Sequence, residues 1–145
     1  MTNESRFAVD TSVAVPLLVA AHQAHRSVRS WVGNRVLSLS GHALAETYSV
    51  LTRLPGDARV SPADAVLLID DNFEDHLALS SHGAVSAHRE LARRGVAGGA
   101  TYDGLVALAA REHDAVLVTR DARARPTYEA LGVRVAVIAA SAGPE

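Results

Sequence analysis

Cysteine and lysine are both absent from this chain of 145 residues. Without cysteine the protein has no disulfide, no thiolate zinc site and no cysteine nucleophile. Without lysine it forms no Schiff base and has no Walker-type phosphate loop. All fourteen basic residues are arginine, and the net charge is −2, so the chain lacks the broad positive surface of proteins that bind DNA without regard to sequence.

Long apolar runs are missing as well. No stretch reaches the roughly 18 uncharged residues that a membrane helix needs, and the first residues, MTNESR, lack the basic region and apolar core of a signal peptide. The length suits one domain over residues 1–145, with its core at about 7–138 and short flexible termini. We therefore expect a single-domain cytoplasmic protein that does not enter a membrane.

Strand and helix signals alternate along the chain, which predicts an α/β fold with a mainly parallel central sheet flanked by helices. The predicted strands cover 7–9, 36–39, 76–79, 115–119 and 133–138. The predicted helices cover 12–21, 25–32, 43–54, a segment from 62 onward, 83–94, 102–113 and 126–131. Predicted N-caps are Thr11 or Ser12, Ser61 and Thr101, and Pro16 is expected in the first turn of its helix.

Four carboxylates stand beside these elements. Asp10 and Asp121 follow predicted strands, whereas Glu46 and Asp103 fall in the first turns of predicted helices. Ligands of open α/β sheets bind at the carboxyl ends of the strands, so we expect all four acids at one rim. Such a cluster repels itself unless a hard cation binds to it, and without cysteine or histidine at ligand spacing the favoured ion is Mg²⁺ or Mn²⁺.

Each of these acids also has an ordinary structural explanation. Asp10 suits a turn or an N-cap, and Asp103 suits the favourable end of a helix dipole. Glu46 is compatible with a solvated helix position, and Asp121 with a loop and cap in Thr-Arg-Asp-Ala. The metal-site hypothesis therefore depends on the four occurring together.

The acids lie in recognisable local sequences. The chain has DTS at 10–12, HALAET at 42–47, YDGL at 102–105 and VTRD at 118–121. In order and spacing these segments resemble the four acidic motifs of the PIN domain, and especially those of the small VapC toxins of bacterial toxin–antitoxin pairs. The resemblance extends from Phe7 to about Ile138, and the glycine-rich stretch between Ala97 and Tyr102 departs from the family pattern.

The resemblance implies a Mg²⁺-dependent endoribonuclease, with Mn²⁺ also supporting activity, in which water activated by the metal leaves 5′-phosphate and 3′-hydroxyl ends. Asp10 and Asp103 are the expected direct metal ligands. Glu46 is expected to bind the metal directly or through water, or to orient the attacking water, and Asp121 to complete an outer shell or a second site. The hydroxyls of Ser12 and Thr119 are expected to fix carboxylates or a metal-bound water.

Three arginines near the last acid, Arg120, Arg123 and Arg125, are candidates for contacting RNA phosphates, with a solvated surface as the alternative. Among the seven histidines only His42, four residues before Glu46, merits a test. The aromatic residues are too scattered for a base-stacking platform, with Tyr102 as the exception because it adjoins an acid.

Two apolar segments, Val13–Ala21 and Ala65–Ile69, carry more apolar surface than one core-facing stripe requires. In VapC-like proteins such helices form a dimer interface or a groove for the cognate antitoxin. We therefore predict a homodimer and an inhibitory antitoxin, the alternative being that both helices are enclosed within the fold.

Three other classes of protein share parts of this pattern. Haloacid-dehalogenase-like phosphatases need a second aspartate where this chain has Ser12, and both they and receiver domains need a lysine. The remaining alternative is a PIN-fold protein with little catalysis that binds RNA or a protein partner. Cleavage of RNA that is lost in Asp10→Asn distinguishes a nuclease from such a binding module.

Overall fold

The computed structural model describes residues 6–139, so the predicted flexible termini lie almost entirely outside the described residues. The strands are β1 (Arg6–Val9), β2 (Leu37–Ser40), β3 (Asp75–Leu77), β4 (Ala115–Thr119) and β5 (Arg134–Val137). The helices are α1 (Thr11–Leu18), α2 (His25–Val32), α3 (Ala43–Thr52), α4 (Pro62–Asn72), α5 (Ser81–Arg93), α6 (Ala100–Glu112) and α7 (Arg125–Ala130), with a 3₁₀ turn at Gly56–Ala58.

Within the described residues, the strands form one parallel sheet in the order β3-β2-β1-β4-β5, which confirms the predicted α/β architecture. The chain moves outward from β1 to β2 and β3, then crosses back to β4 on the other side of β1. The direction of winding therefore reverses between β1 and β4. In open α/β sheets, the crevice at the carboxyl ends of two such strands is the usual ligand site.

Two groups of helices cover the sheet. Helices α1 to α4 pack on one another, and α6 contacts α5, α7 and the strands β2 and β4. In α1, the residues Val13–Leu17 are all buried within the chain. The prediction that this helix offers apolar surface to a partner is therefore wrong for α1, because α2, α3, α4 and β4 already enclose it. In α4, by contrast, Val66 and Leu67 are exposed.

Helix α1 also differs from its predicted bounds. Asp10, rather than Thr11 or Ser12, is the N-cap, since its side chain accepts a hydrogen bond from the backbone N–H of Ser12. Pro16 lies in the second turn rather than the first. The helix ends at Leu18 because the chain becomes extended at the next residue, and the carbonyl of Pro16 accepts a hydrogen bond from the His25 ring.

Boundaries also shift at one further helix and at one strand. Helix α5 begins two residues earlier than predicted, because the Ser80 hydroxyl accepts a hydrogen bond from the N–H of Gly83. Strand β3 ends at Leu77, since the next carbonyl, that of Ala78, accepts from the His113 ring. The prediction of a helix capped by Ser61 is confirmed, with the hydroxyl accepting from the N–H of Asp64 at 3.2 Å.

The glycine-rich stretch forms the turn that starts α6. Gly98 has a φ of +62°, and Gly99 is the N-cap, so Thr101 lies inside the helix and the prediction that it caps α6 is wrong. The turn lets α6 begin at Ala100, which puts Asp103 in its first turn at the sheet rim. In residues 6–139, no helix is both long and apolar enough to cross a membrane.

Gly41 lies between β2 and α3 and is in close contact with α6. Its φ is +54°, and an added Cβ would lie 2.9 Å from the Ala109 Cβ and 3.0 Å from the Leu105 carbonyl oxygen. Gly41→Ala is therefore expected to lower the free energy of unfolding by about 2–5 kcal/mol, combining left-handed strain with overpacking. Gly95→Ala is the control, since Gly95 has a φ of +75° but no atom within 4 Å of an added Cβ. It should cost only about 1–2 kcal/mol in urea unfolding, and equal losses would contradict the packing argument.

Candidate active site

Asp10 and Asp121 lie at the ends of two paired strands. Asp10 directly follows β1, and its N–H donates to the Val118 carbonyl of β4 at 3.3 Å. Asp121 follows β4 after one intervening residue, Arg120. Because β1 and β4 are parallel neighbours, both acids are at the carboxyl rim, in the crevice where the winding of the sheet reverses.

Asp10 is a buried carboxylate, only 5% exposed. Its Oδ1 accepts from the Ser12 hydroxyl at 2.6 Å and the Ser12 N–H at 3.0 Å, and its Oδ2 accepts from the Tyr128 hydroxyl at 2.8 Å. Burial raises the pKa of Asp10, and the hydrogen bonds from Ser12, Thr119 and Tyr128 oppose that rise. The carboxylate is therefore held in one orientation at an energetic cost that these donors partly offset.

Ser12 and Thr119 join the start of α1 to the end of β4. Their hydroxyl oxygens are 3.2 Å apart. The Ser12 hydroxyl also accepts from the N–H of Arg120 at 2.8 Å, and the Thr119 hydroxyl accepts from the N–H of Asp121 at 3.0 Å. Both predicted hydroxyls thus contact the segments that carry the acids, with Ser12 bonded to Asp10 itself.

Asp103 is the acid most affected by the other three. It lies in the first turn of α6 and is half-buried. Burial raises its pKa, and the negative charges of Asp10, Asp121 and Glu46 raise it further. The four acids that are far apart in sequence therefore lie close enough together for their charges to interact.

Glu46 is exposed in the first turn of α3. Its Oε1 accepts a hydrogen bond of 2.5 Å from the Thr11 hydroxyl at the start of α1. The sequence suggests Thr11 only as an N-cap and not as a partner of an acid. Its hydroxyl connects the first and second acidic motifs across 35 residues, and a contact over that distance has no signal in local sequence.

Asp121 lies at the rim, and its side chain also stabilises the turn that follows it. Its Oδ1 accepts from the N–H of Arg123 at 3.0 Å and lies 3.7 Å from the Nε of the same residue. Arg125 pairs with Glu129 on α7 at 3.0 Å. The Nε of Arg120 is buried and has no hydrogen-bond partner in the described part of the chain. Of the three candidate arginines, Arg120 and Arg123 are thus adjacent to the acids, and Arg125 is engaged along its own helix.

Tyr128 is a further site residue that the motifs do not indicate. It lies on α7, is 1% exposed, and donates its hydroxyl to Asp10 from 118 residues away. A buried tyrosine generally needs a hydrogen-bond partner, but the sequence does not say which one. Burial, followed by the charge of Asp10, raises the pKa of Tyr128, so the phenol remains protonated and continues to donate.

The donor atoms at this rim suit a hard cation. All four acids and both hydroxyls offer oxygen, the ligand that Mg²⁺ and Mn²⁺ prefer, and a cation would relieve the repulsion that raises the Asp103 pKa. Among residues 6–139, no three carboxylate or imidazole side chains stand at the spacing of a preformed metal site. Glu46 is exposed, and the Thr11 hydroxyl orients its side chain.

Comparison with known proteins agrees with this geometry. A model of the PIN domain family matches residues 7–129. The match covers most of the chain and includes all four acids, so the chain belongs to the PIN domain family. The resemblance noted from the motifs is thereby confirmed.

Within that family, the chain is a VapC-like protein. It is 58% identical over 132 residues to Ribonuclease VapC27 of Mycobacterium tuberculosis (strain ATCC 25618 / H37Rv), covering 91% of this chain and 96% of that protein. It is 44% identical over 133 residues to Ribonuclease VapC40 of M. tuberculosis (strain CDC 1551 / Oshkosh), covering 90% and 98%. The fold is similar to that in DNA-bound VapBC from Salmonella typhimurium, with a TM-score of 0.62, 20% identity and coverage of 92% and 98%.

Removing the Tyr128 hydroxyl should destabilise the protein. Tyr128→Phe keeps the buried ring but leaves Asp10 Oδ2 without its donor. We expect the free energy of unfolding to fall by about 1–3 kcal/mol at pH 7, measured by urea unfolding. The matched control is Tyr48→Phe, at an exposed tyrosine on α3, which should change stability little. Equal stability of Tyr128→Phe and the wild type would contradict the assigned hydrogen bond.

Neutralising Asp103 should stabilise the protein when divalent ions are absent. A raised pKa means that Asp103 binds its proton more tightly in the folded state than in the unfolded chain. The protonated carboxyl therefore stabilises the fold below its ordinary pKa of 3.8, and this stabilisation is lost as the pH rises through the pKa of the folded state. In EDTA at pH 7, Asp103→Asn should therefore raise Tm by a few degrees. This gain in Tm should vanish at about pH 3. The control is Asp70→Asn, which replaces an exposed aspartate of α4. A lower Tm at pH 7 would contradict the repulsion among the acids.

Proposed function

We propose that this protein is an endoribonuclease that hydrolyses RNA phosphodiesters with the help of Mg²⁺ or Mn²⁺. The main support for the proposal is that four carboxylates converge on one crevice of the sheet. The charges of three of them raise the pKa of the fourth, Asp103. The 58% identity to a protein named Ribonuclease VapC27 supports the same activity.

Asp10 and Asp103 are the proposed direct ligands, with Glu46 binding directly or through water and Asp121 completing the outer shell or a weaker second site. A divalent ion held by these residues would supply an activated water at neutral pH and would neutralise charge on the phosphate. Ser12 already donates two hydrogen bonds to Asp10 Oδ1, which leaves Oδ2, bonded to Tyr128 alone, as the oxygen with a remaining acceptor site.

Residues around the acids contribute orientation. Ser12 and Tyr128 hold Asp10, and Thr11 holds Glu46, so these three hydroxyls restrict the rotamers of two proposed ligands. Arg120 and Arg123 are the proposed phosphate contacts, because both adjoin Asp121. Attack by water rather than by the ribose 2′-hydroxyl would leave 5′-phosphate and 3′-hydroxyl ends.

We further propose that the protein is the toxin of a toxin–antitoxin pair, that it forms a homodimer, and that a cognate antitoxin neutralises it in the cytoplasm. The fold similarity to a chain of a VapBC complex supports an antitoxin partner. Since Val13–Leu17 of α1 are enclosed, the large exposed apolar residues of the two predicted segments are Val66 and Leu67 on α4, which we propose for an interface.

The test is cleavage of total cellular RNA by purified, antitoxin-free protein, with sequencing of the new ends. We expect discrete cuts with 5′-phosphates in Mg²⁺ or Mn²⁺ and none in EDTA. Asp10→Asn and Asp103→Asn should reduce the rate by about a hundredfold or more, since each removes several kcal/mol of transition-state stabilisation.

Asp70→Asn is the matched control, because it removes an exposed aspartate of α4 from outside the cluster and should cleave at the wild-type rate. RNA binding without metal-dependent cleavage by the wild type would favour the alternative, a PIN-fold binding module with little catalysis. Cleavage that persists in both Asp10→Asn and Asp103→Asn would refute the assigned site.

A further inference from the structure

A cavity of about 400 Å³ opens at the same rim of the sheet as the four acids. It lies where the chain leaves β2 and β3, whereas Asp10 and Asp121 follow β1 and β4. Its walls are mostly apolar, and they include His42, Leu44, His76, Leu79, Ala84 and Leu105. Neighbouring strands are about 4.8 Å apart, so the cavity begins within about 10 Å of the end of β1.

A pair of aromatic rings connects the cavity lining to the segment that carries Asp103. The rings of His42 and Tyr102 have centroids 5.0 Å apart and an interplanar angle of 31°. His42 lines the cavity and lies one helical turn before Glu46, whose N–H donates to the His42 carbonyl. Tyr102 directly precedes Asp103 and is 55% exposed, so its ring is accessible to a ligand.

We propose that this cavity and the Tyr102 ring bind a nucleobase of the RNA, next to the phosphate that is cleaved. The proposal rests on the proposed function and adds a base-recognition site to it. A nucleobase has flat, apolar faces that stack on aromatic rings and a polar edge that forms hydrogen bonds. The cavity matches both properties, with aliphatic walls and two histidines, His42 and His76, in its lining.

The negative charge of the acids favours a neutral contact between the cavity and the RNA. Four carboxylates at the rim repel the phosphates of an approaching RNA, and the cavity lining contains no arginine. Stacking does not depend on charge, so a base held in the cavity would fix the strand beside the acids without adding a cation. A base splayed into such a cavity must come from single-stranded RNA, and this would restrict cleavage to loops or unpaired ends.

The experiment measures binding separately from cleavage. Single-stranded RNA decamers carry the fluorescent base 2-aminopurine at one position each, and they are titrated with full-length protein in EDTA at low salt. Anisotropy of an end label reports binding, and quenching of 2-aminopurine reports stacking at that position. We expect one or two positions to be quenched by wild-type protein.

Four variants test the site. Tyr102→Leu, which removes the ring, and Ala84→Phe, which fills the cavity, should abolish the quenching and weaken binding about tenfold. Tyr102→Phe keeps the ring and should retain both signals. Ala92→Phe adds the same bulk to an exposed position of α5 outside the cavity and should behave like the wild type.

The proposal is overturned if wild-type protein fails to bind or quench any decamer, or if Tyr102→Leu and Ala84→Phe retain the quenching. It is also overturned if these two variants weaken only the complex with a protein partner, since the cavity would then accept a partner side chain. EDTA prevents metal-dependent cleavage, so binding is measured separately from nuclease activity. Quenching in EDTA by protein that cleaves no RNA in Mg²⁺ or Mn²⁺ would refute the proposed function alone. Nuclease activity without quenching would refute the base site alone.

Discussion

Repulsion among carboxylates at the junction of β1 and β4 is the constraint on which the rest of the site depends. Burial and three neighbouring negative charges raise the pKa of Asp103, and burial also raises that of Asp10. Such an arrangement opposes folding unless other contacts hold it together. Hydroxyl groups from Ser12, Tyr128 and Thr11 provide those contacts, each bonded to an acid oxygen.

These hydrogen bonds also join parts of the chain that are remote in sequence. Tyr128 on α7 reaches Asp10 from 118 residues away, and Ser12 meets Thr119 from 107 residues away. The acid that follows the first strand is therefore oriented by the last helix of the described chain. A PIN domain assembled in this way completes its acidic crevice only when both halves of the sheet have paired, because β1 lies between β2 and β4.

The two sides of the sheet rim differ in their chemistry. The β1–β4 side carries charge, and the β2–β3 side is an apolar cavity bordered by the His42 and Tyr102 rings. For the proposed ribonuclease, the first side suits a phosphate with its metal and the second suits a base. Gly41 lines the cavity at this boundary, and α6 packs so close to it that an added Cβ would meet Ala109 and Leu105.

By itself, the sequence determined the α/β class, the helix capped by Ser61 and the four acids at strand and helix ends, because periodicity, caps and strand ends are local properties. It also determined the family, through motifs carried by neighbouring residues. Tertiary structure alone decided that Tyr128 bonds Asp10, that α1 is enclosed rather than exposed, and that an apolar cavity adjoins the acids. Each of these three features depends on which distant segments pack together. The sequence alone does not separate a side chain buried in the core from one at an interface, because both are apolar.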